Sequence, residues 1–306
     1  MNLRFSKKNL AYKILALLSA FTLLGLTACS SGDSTEEEKS YISLSVTDAP
    51  VDNATNVFVQ FTSMEFKPQG GSSIILQLDE PRNIDLLALQ GNNFEALVNN
   101  LEVPAGNYNW VNLGVNAIRG EMDSYISFDD GSSYSLYVPS GSQSGLKINR
   151  GFVVPVGGNI SLTVDFDLRK SVTNPVGQVN DYILKPVLRM TDNSQTGTIQ
   201  GSVASSLLEG ENCQEGKAVY LYTGADVIAD DLGSATPPLA SALFTYNADS
   251  NRWDFEFGFV EAGDYTLAAT CDSDIDELET DEVDWQAASS TNATVVSGST
   301  VQVELD

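Results

Sequence analysis

The sequence predicts an all-β protein built from two antiparallel β-sandwich domains. Three observations lead there. Apolar and polar residues alternate with period two in short runs, no long stretch carries the 3.6-residue period of a helix, and clusters of Gly, Pro, Asn, Asp and Ser separate the runs. At 306 residues the chain is long enough for about two domains.

The clearest run is 160–169, where Ile160, Leu162, Val164, Phe166 and Leu168 share one face and Ser161, Thr163, Asp165, Asp167 and Arg169 the other. Such alternation describes a strand with one buried and one wet face. Further strands are expected at 42–47, 56–66, 73–78, 108–117, 125–128, 134–138, 147–154 and 182–190, with one short helical turn at 93–99. A break at 191–196 (TDNSQT) separates this first domain, 41–192, from a second, 197–306. The second series comprises 197–203, 218–222, 239–246, 253–260, 265–270, 294–296 and 300–305, the complement of one sandwich of immunoglobulin-like size. Both halves hold a matching turn, Ala105-Gly106-Asn107-Tyr108 and Ala262-Gly263-Asp264-Tyr265, in which glycine frees the backbone and tyrosine anchors the outgoing strand.

The N-terminus reads as an address. Arg4, Lys7, Lys8 and Lys13 precede the apolar run 14–26, which has the order of a secretory signal and falls short of a membrane span. It ends in Leu26-Thr27-Ala28-Cys29, which resembles a bacterial lipobox. The resemblance implies a lipoprotein signal peptide over 1–28, lipidation of Cys29 and anchoring in a membrane. Residues 29–40 contain no apolar side chain after Cys29 and read as a flexible tether. Ser30, in place of an aspartate that would favour inner-membrane retention in enteric bacteria, directs the expectation to the outer membrane of a Gram-negative host, on its periplasmic face or at the cell surface.

Charge and composition exclude whole classes of function. The chain has 16 Lys and Arg against 41 Asp and Glu, a net charge of -25, and no histidine. Serine triads, Cys-His dyads and His-ligated zinc or haem are therefore ruled out. A polyanion of this kind is no partner for nucleic acid. Without residues 1–28 there are 12 bases against 41 acids, a net of -29. The two domains share that charge unequally: 41–192 carries 16 acids and 9 bases, whereas 193–306 carries 21 acids and 2 bases, Lys217 and Arg252.

The first domain resembles the bacterial lipoprotein family known as domain of unknown function 4382. The likeness rests on residues 44–50 (LSVTDAP), 85–87 (DLL), 104–108 (PAGNY), 139–141 (PSG), 144–147 (SGLK), 164–167 (VDFD) with Lys170-Ser171, and 182–186 (YILKP), in that order. It implies no established chemistry. Among its polar residues, Ser140, Lys147, Asp167, Lys170 and Lys185 are candidates to line a site or to fix loops. The second domain resembles, more loosely, the prealbumin-like sandwich of carboxypeptidase regulatory domains, through 197–203, 218–222 and 261–267. That likeness implies a spacer or interaction module; the insert at 223–238 and the acidic run after Cys271 depart from it.

Few constellations carry chemistry. Cys213 and Cys271 form the even pair expected to make a disulfide in an oxidising compartment. Directly after Cys271, eight of the thirteen residues 272–284 are acidic, and Asp272, Asp274 and Asp276 alternate as in a calcium loop. Glu277 and Val283 stand where an EF-hand needs Gly and Glu, so any calcium site would be of another type. Asp165 and Asp167 have a spacing close to that of glycosidase carboxylate pairs. The S-x-x-K sequence at Ser144 and Lys147 has neither of the partner motifs its enzymes require.

The sequence thus predicts no catalytic residues and no required cofactor, in a non-enzymatic, lipid-anchored envelope protein that presents a binding or adhesive surface to a protein or glycan. Calcium binding by Asp272, Asp274 and Asp276 is the first alternative, and polysaccharide hydrolysis by Asp165 and Asp167 the second.

Overall fold

The computed structural model describes residues 38–49, 54–139, 145–173, 181–185, 187–210, 213–276, 278, 283 and 285–306. The first part of the chain runs β1 (Ser40–Ala49), β2 (Ala54–Pro68), β3 (Ile74–Asp85), β4 (Glu95–Val103), β5 (Gly106–Asn116), β6 (Tyr125–Phe128) and β7 (Ser133–Tyr137). It continues through β8 (Leu146–Ile148), β9 (Phe152–Val154), β10 (Asn159–Asp167), the single turn α1 (Leu168–Ser171), β11 (Val172–Thr173), β12 (Asp181–Leu184) and β13 (Leu188–Asp192). The second part holds β14 (Thr196–Ala204), β15 (Ala218–Thr223), β16 (Ala240–Leu243), β17 (Thr245–Asn247), β18 (Arg252–Glu261), β19 (Gly263–Thr270), β20 (Trp285–Val295) and β21 (Thr300–Leu305).

Each part forms two sheets whose strands pair only within that part. The first sandwich sets β13-β10-β1-β4 against β11-β12-β7-β6-β2-β5-β8, with β3 added to β2 and β9 to β5. Alternate residues of β1 and β10, including Leu44, Val46, Val164 and Phe166, meet Phe61, Met64, Val111 and Leu113 of the facing sheet, and all are fully buried. Phe61 and Phe166 cross between the sheets edge to face, at 6.0 Å between ring centroids. The second sandwich sets β17-β18-β14-β21 against β16-β15-β19-β20, with Ile199, Val203, Phe255 and Phe257 facing Val219, Leu221, Leu267 and Ala269.

Several expectations need correction. The sandwiches are rich in antiparallel pairs, yet β1 runs parallel to β10, β12 to β7 and β14 to β21. Residues 93–99 make no helical turn: Glu95 begins β4, held by pairing with β1, and the short 3-10 turn lies earlier, at Leu86–Leu89. The expected strand 147–154 divides into β8 and β9, both on β5, and 182–190 divides into β12 and β13, which belong to different sheets. Pairing partners decide such breaks, and periodicity within one strand does not report them. β3 extends past Pro81, which an edge strand tolerates because a missing N–H faces no partner there.

The largest correction concerns 160–169. β10 lies between β1 and β13, and its polar face is not wet: Thr163 and Asp165 are buried, as are Thr47 and Thr191 beside them. Arg169 leaves the strand altogether and is buried in α1. The second sandwich supplies the cover.

Candidate functional site

Residues Glu38–Asp306 form one compact unit, so the two sandwiches are packed against each other. The seam is built from opposite charges and close backbones. Arg150 pairs with Glu261, and Lys170 Nζ donates to the carbonyl oxygen of Pro238 at 2.7 Å. The Arg169 guanidinium reaches furthest: its Nη1 donates to the Ser273 carbonyl and to the Tyr220 hydroxyl, and that hydroxyl donates to Asp276 at 2.6 Å. At the other end, the loop after Leu89 docks on β18. Asn92 N donates to Glu256 Oε1 at 2.8 Å, and Thr198 Oγ1 donates to Asn92 Oδ1 at 3.1 Å. A Cβ at Gly258 would lie 2.2 Å from the Gly91 carbonyl oxygen, so only glycine permits the approach. Here β18 carries a bulge, with Phe259 at φ 53°, and Phe259 meets Phe94 edge to face.

Two openings lie along this seam, and both are bordered by the ion pair in which Arg189 Nε and Nη2 donate to Asp165 Oδ2, at 3.2 and 2.7 Å. Register places these residues opposite each other on β10 and β13. The larger opening, about 640 Å³, is walled by the outer face of the β18-β14-β21 sheet and by Thr47, Asp48, Gln90, Gly91 and Asn93. A polar row crosses it: Gln302 Nε2 donates to Gln200 Oε1 at 2.8 Å, and Gln200 Nε2 donates to Glu256 Oε2 at 2.6 Å. Five carboxylates (Asp48, Asp165, Asp254, Glu256 and Glu304) and one guanidinium, Arg189, line it among the described residues.

The smaller opening, about 450 Å³, has the reverse character. Lys147, Arg150, Lys170 and Arg189 surround it with Asp165 and Asp167. Three of the residues expected from the family resemblance, Lys147, Asp167 and Lys170, are therefore brought together; Lys185 is exposed elsewhere, and Ser140 and Ser144 lie outside the described residues. Asp167 caps α1 by accepting from Lys170 N and pairs with Lys170 Nζ at 2.9 Å. The Lys147 ammonium sits 4.2 Å from the centre of the Trp110 ring. Asp165 and Asp167 do line one cavity, but each is held by a cation.

Cys213 and Cys271 form a disulfide, with Cα atoms 4.9 Å apart. The aspartates that follow diverge: Asp274 is exposed, Asp272 is half-buried, and Asp276 turns inward to accept from Tyr220 and from Leu232 N. Among the described residues these three gather into no group able to hold a metal ion. Cys29 lies outside the described residues. Among the described residues, no helix is long and apolar enough to cross a membrane.

Sequence reasoning missed Arg150, Arg189 and the row Gln200, Glu256 and Gln302. One signal for the row was available. Thr198, Gln200 and Ser202 alternate with Ile199 and Val203, which marks an amphipathic strand whose outer face is polar but uncharged.

No curated protein matches the chain. Among solved structures, a leucine-rich repeat protein from Bacteroides thetaiotaomicron is 12% identical, with 88% of this chain and 26% of that one covered, at a TM-score of 0.22. A minor pilin from Streptococcus agalactiae is 9% identical over 86% of this chain and 94% of that one, at a TM-score of 0.19. The major pilin subunit of Bacillus cereus is 10% identical over 88% and 99%, at 0.21. The chain spans 26% and 34% of the first two structures it matches. Likenesses this weak carry no argument about function. The family comparison is of another kind: residues 39–186 match the model described as domain of unknown function (DUF4382). That span starts at β1 and stops just short of β13, so it takes in nearly all of the first sandwich, including Lys147, Asp167 and Lys170. The first sandwich is a member of the DUF4382 family.

Proposed function

We propose that this protein is a non-enzymatic, lipid-anchored component of the bacterial cell envelope that binds a neutral glycan in the larger opening of its seam. The observation that carries the reading is the polar row Gln302, Gln200 and Glu256 on an open sheet face. Planar amides and carboxylates in such a row offer the paired donors and acceptors that sugar hydroxyls need. Its surplus of carboxylates disfavours acidic polysaccharides. The lipobox-like residues 26–29 and the polar tether support the anchor. Asp165 and Asp167 are both engaged by cations, which favours a structural role over hydrolysis.

The test is retention of the full chain on a panel of immobilised neutral glycans, acidic glycans and basic peptides, beside a Gln200→Ala, Gln302→Ala double variant. Neutral glycans should retain the protein, and the variant should weaken retention at least tenfold, about 1.4 kcal/mol. No retention on any glycan, or equal retention of the variant, would overturn the assignment; retention on basic peptides alone would replace the glycan with a protein partner.

A further inference from the structure

The smaller opening of the seam has a chemistry of its own. In a chain with a net charge of -25, it collects four cations against two carboxylates. Its two carboxylates are already matched, Asp165 with Arg189 and Asp167 with Lys170. Two cationic groups remain at its edge. Lys147 is exposed and touches the Trp110 ring, and Arg150 is half-exposed although paired with Glu261. Arg189, which borders both openings, has its Nη1 buried with no hydrogen-bond partner among the described residues. The rest of the lining is mostly apolar, from Ile148, Leu188 and Met190 of the first sandwich and Leu239 of the second.

The geometry points to a binding site here for a small organic anion, a carboxylate, sulfonate or phosphate head on an apolar body. The head would lie against Lys147 and Arg189, and the body would lie along the aliphatic wall. A volume of about 450 Å³ falls within the ordinary range of small-molecule sites. Charge selects the class: this opening has a local surplus of cations, whereas the neighbouring one has a surplus of carboxylates. The inference does not rest on the glycan reading, since the Gln200 row lines only the larger opening.

Decanoate and decylamine, which share a chain and differ in head charge, are the probes. Calorimetric titration of the full chain should show decanoate binding, weakened by added salt, and no decylamine binding. Lys147→Glu, an exposed position, should weaken decanoate at least tenfold. The paired change Arg189→Gln with Asp165→Asn, which leaves no unmatched charge behind, should do the same with the melting temperature recorded alongside. Absence of decanoate binding, equal binding of decylamine, or unchanged affinity in a folded Lys147→Glu protein would each overturn the site.

Discussion

The two sandwiches begin one of their central strands with the same tyrosine hydrogen bond. Tyr108 at the head of β5 donates to the Pro104 carbonyl, and Tyr265 at the head of β19 donates to the Glu261 carbonyl, both at 2.8 Å and both four residues back. Beyond that corner they differ. The first has a broad aliphatic core between its sheets and no disulfide among its described residues. The second has a smaller core, between two four-stranded sheets, and ties β19 to the segment before β15 through Cys213–Cys271. A small core leaves little surplus over conformational entropy, and a covalent tie across a long loop compensates by restricting the unfolded chain. Their charges differ as well, 16 acids with 9 bases against 21 with 2, and the seam shows what that asymmetry does. Arg150, Arg169 and Lys170 of the first sandwich all reach across to acceptors on the second.

The disulfide offers the largest test of this contrast. Replacing both Cys213 and Cys271 by serine should cost the second sandwich about 3–4 kcal/mol. Calorimetry should then separate an early transition of the second sandwich from a later one of the first; a single transition at the original temperature would show that the second core suffices alone. Arg169 comes next. Arg169→Met removes charge-assisted hydrogen bonds to Ser273 and Tyr220 across the seam, and should cost about 2–3 kcal/mol. Urea unfolding followed at Trp110 and Trp253 in separate single-tryptophan proteins should change from coincident to staggered curves. Coincident curves in the variant would mean that the sandwiches are held together by other contacts.

The smallest effect sharpens the likeness. Tyr108→Phe and Tyr265→Phe should each cost about 1 kcal/mol, and by similar amounts. Burial raises the pKa of both hydroxyls above the usual tyrosine value. Native protein therefore holds these protons more tightly than unfolded chain does. The stability linked to them is complete below the unfolded value near 10, and it declines as pH rises through that value toward the folded one. Ultraviolet titration should show that each variant lacks one late-ionising tyrosine present in the wild type; loss of an ordinarily ionising one instead would remove the corner from the account.

What was legible in the sequence was local. Alternation located β10 and β21, and the two glycine-tyrosine turns were found where the corners stand. The disulfide followed from cysteine parity. Side-chain period, however, says nothing about what covers a face. Alternation points Asp165 and Arg169 toward water, because nothing within the run 160–169 records the second sandwich lying on it. The candidate site was illegible for the same reason: Asn92 and Glu256 are 164 residues apart and meet only because Gly91 and Gly258 let two backbones touch. The unequal distribution of bases is visible in the sequence; that three of the first sandwich's nine, Arg150, Arg169 and Lys170, serve the seam is not.

The parallel pairing of β14 with β21 has a consequence for how the molecule is made. Thr198 through Val203 align with Thr300 through Leu305, so the opening strand of the second sandwich stays one-sided until residues a hundred positions later have been supplied. Contacts of such long sequence separation close late and slowly. A chain released before residue 300 would present the bare edge of β14, flanked by Ile199 and Val203, as a template for a neighbour's strand. Pairing of β21 along β14 then covers that edge and removes the template.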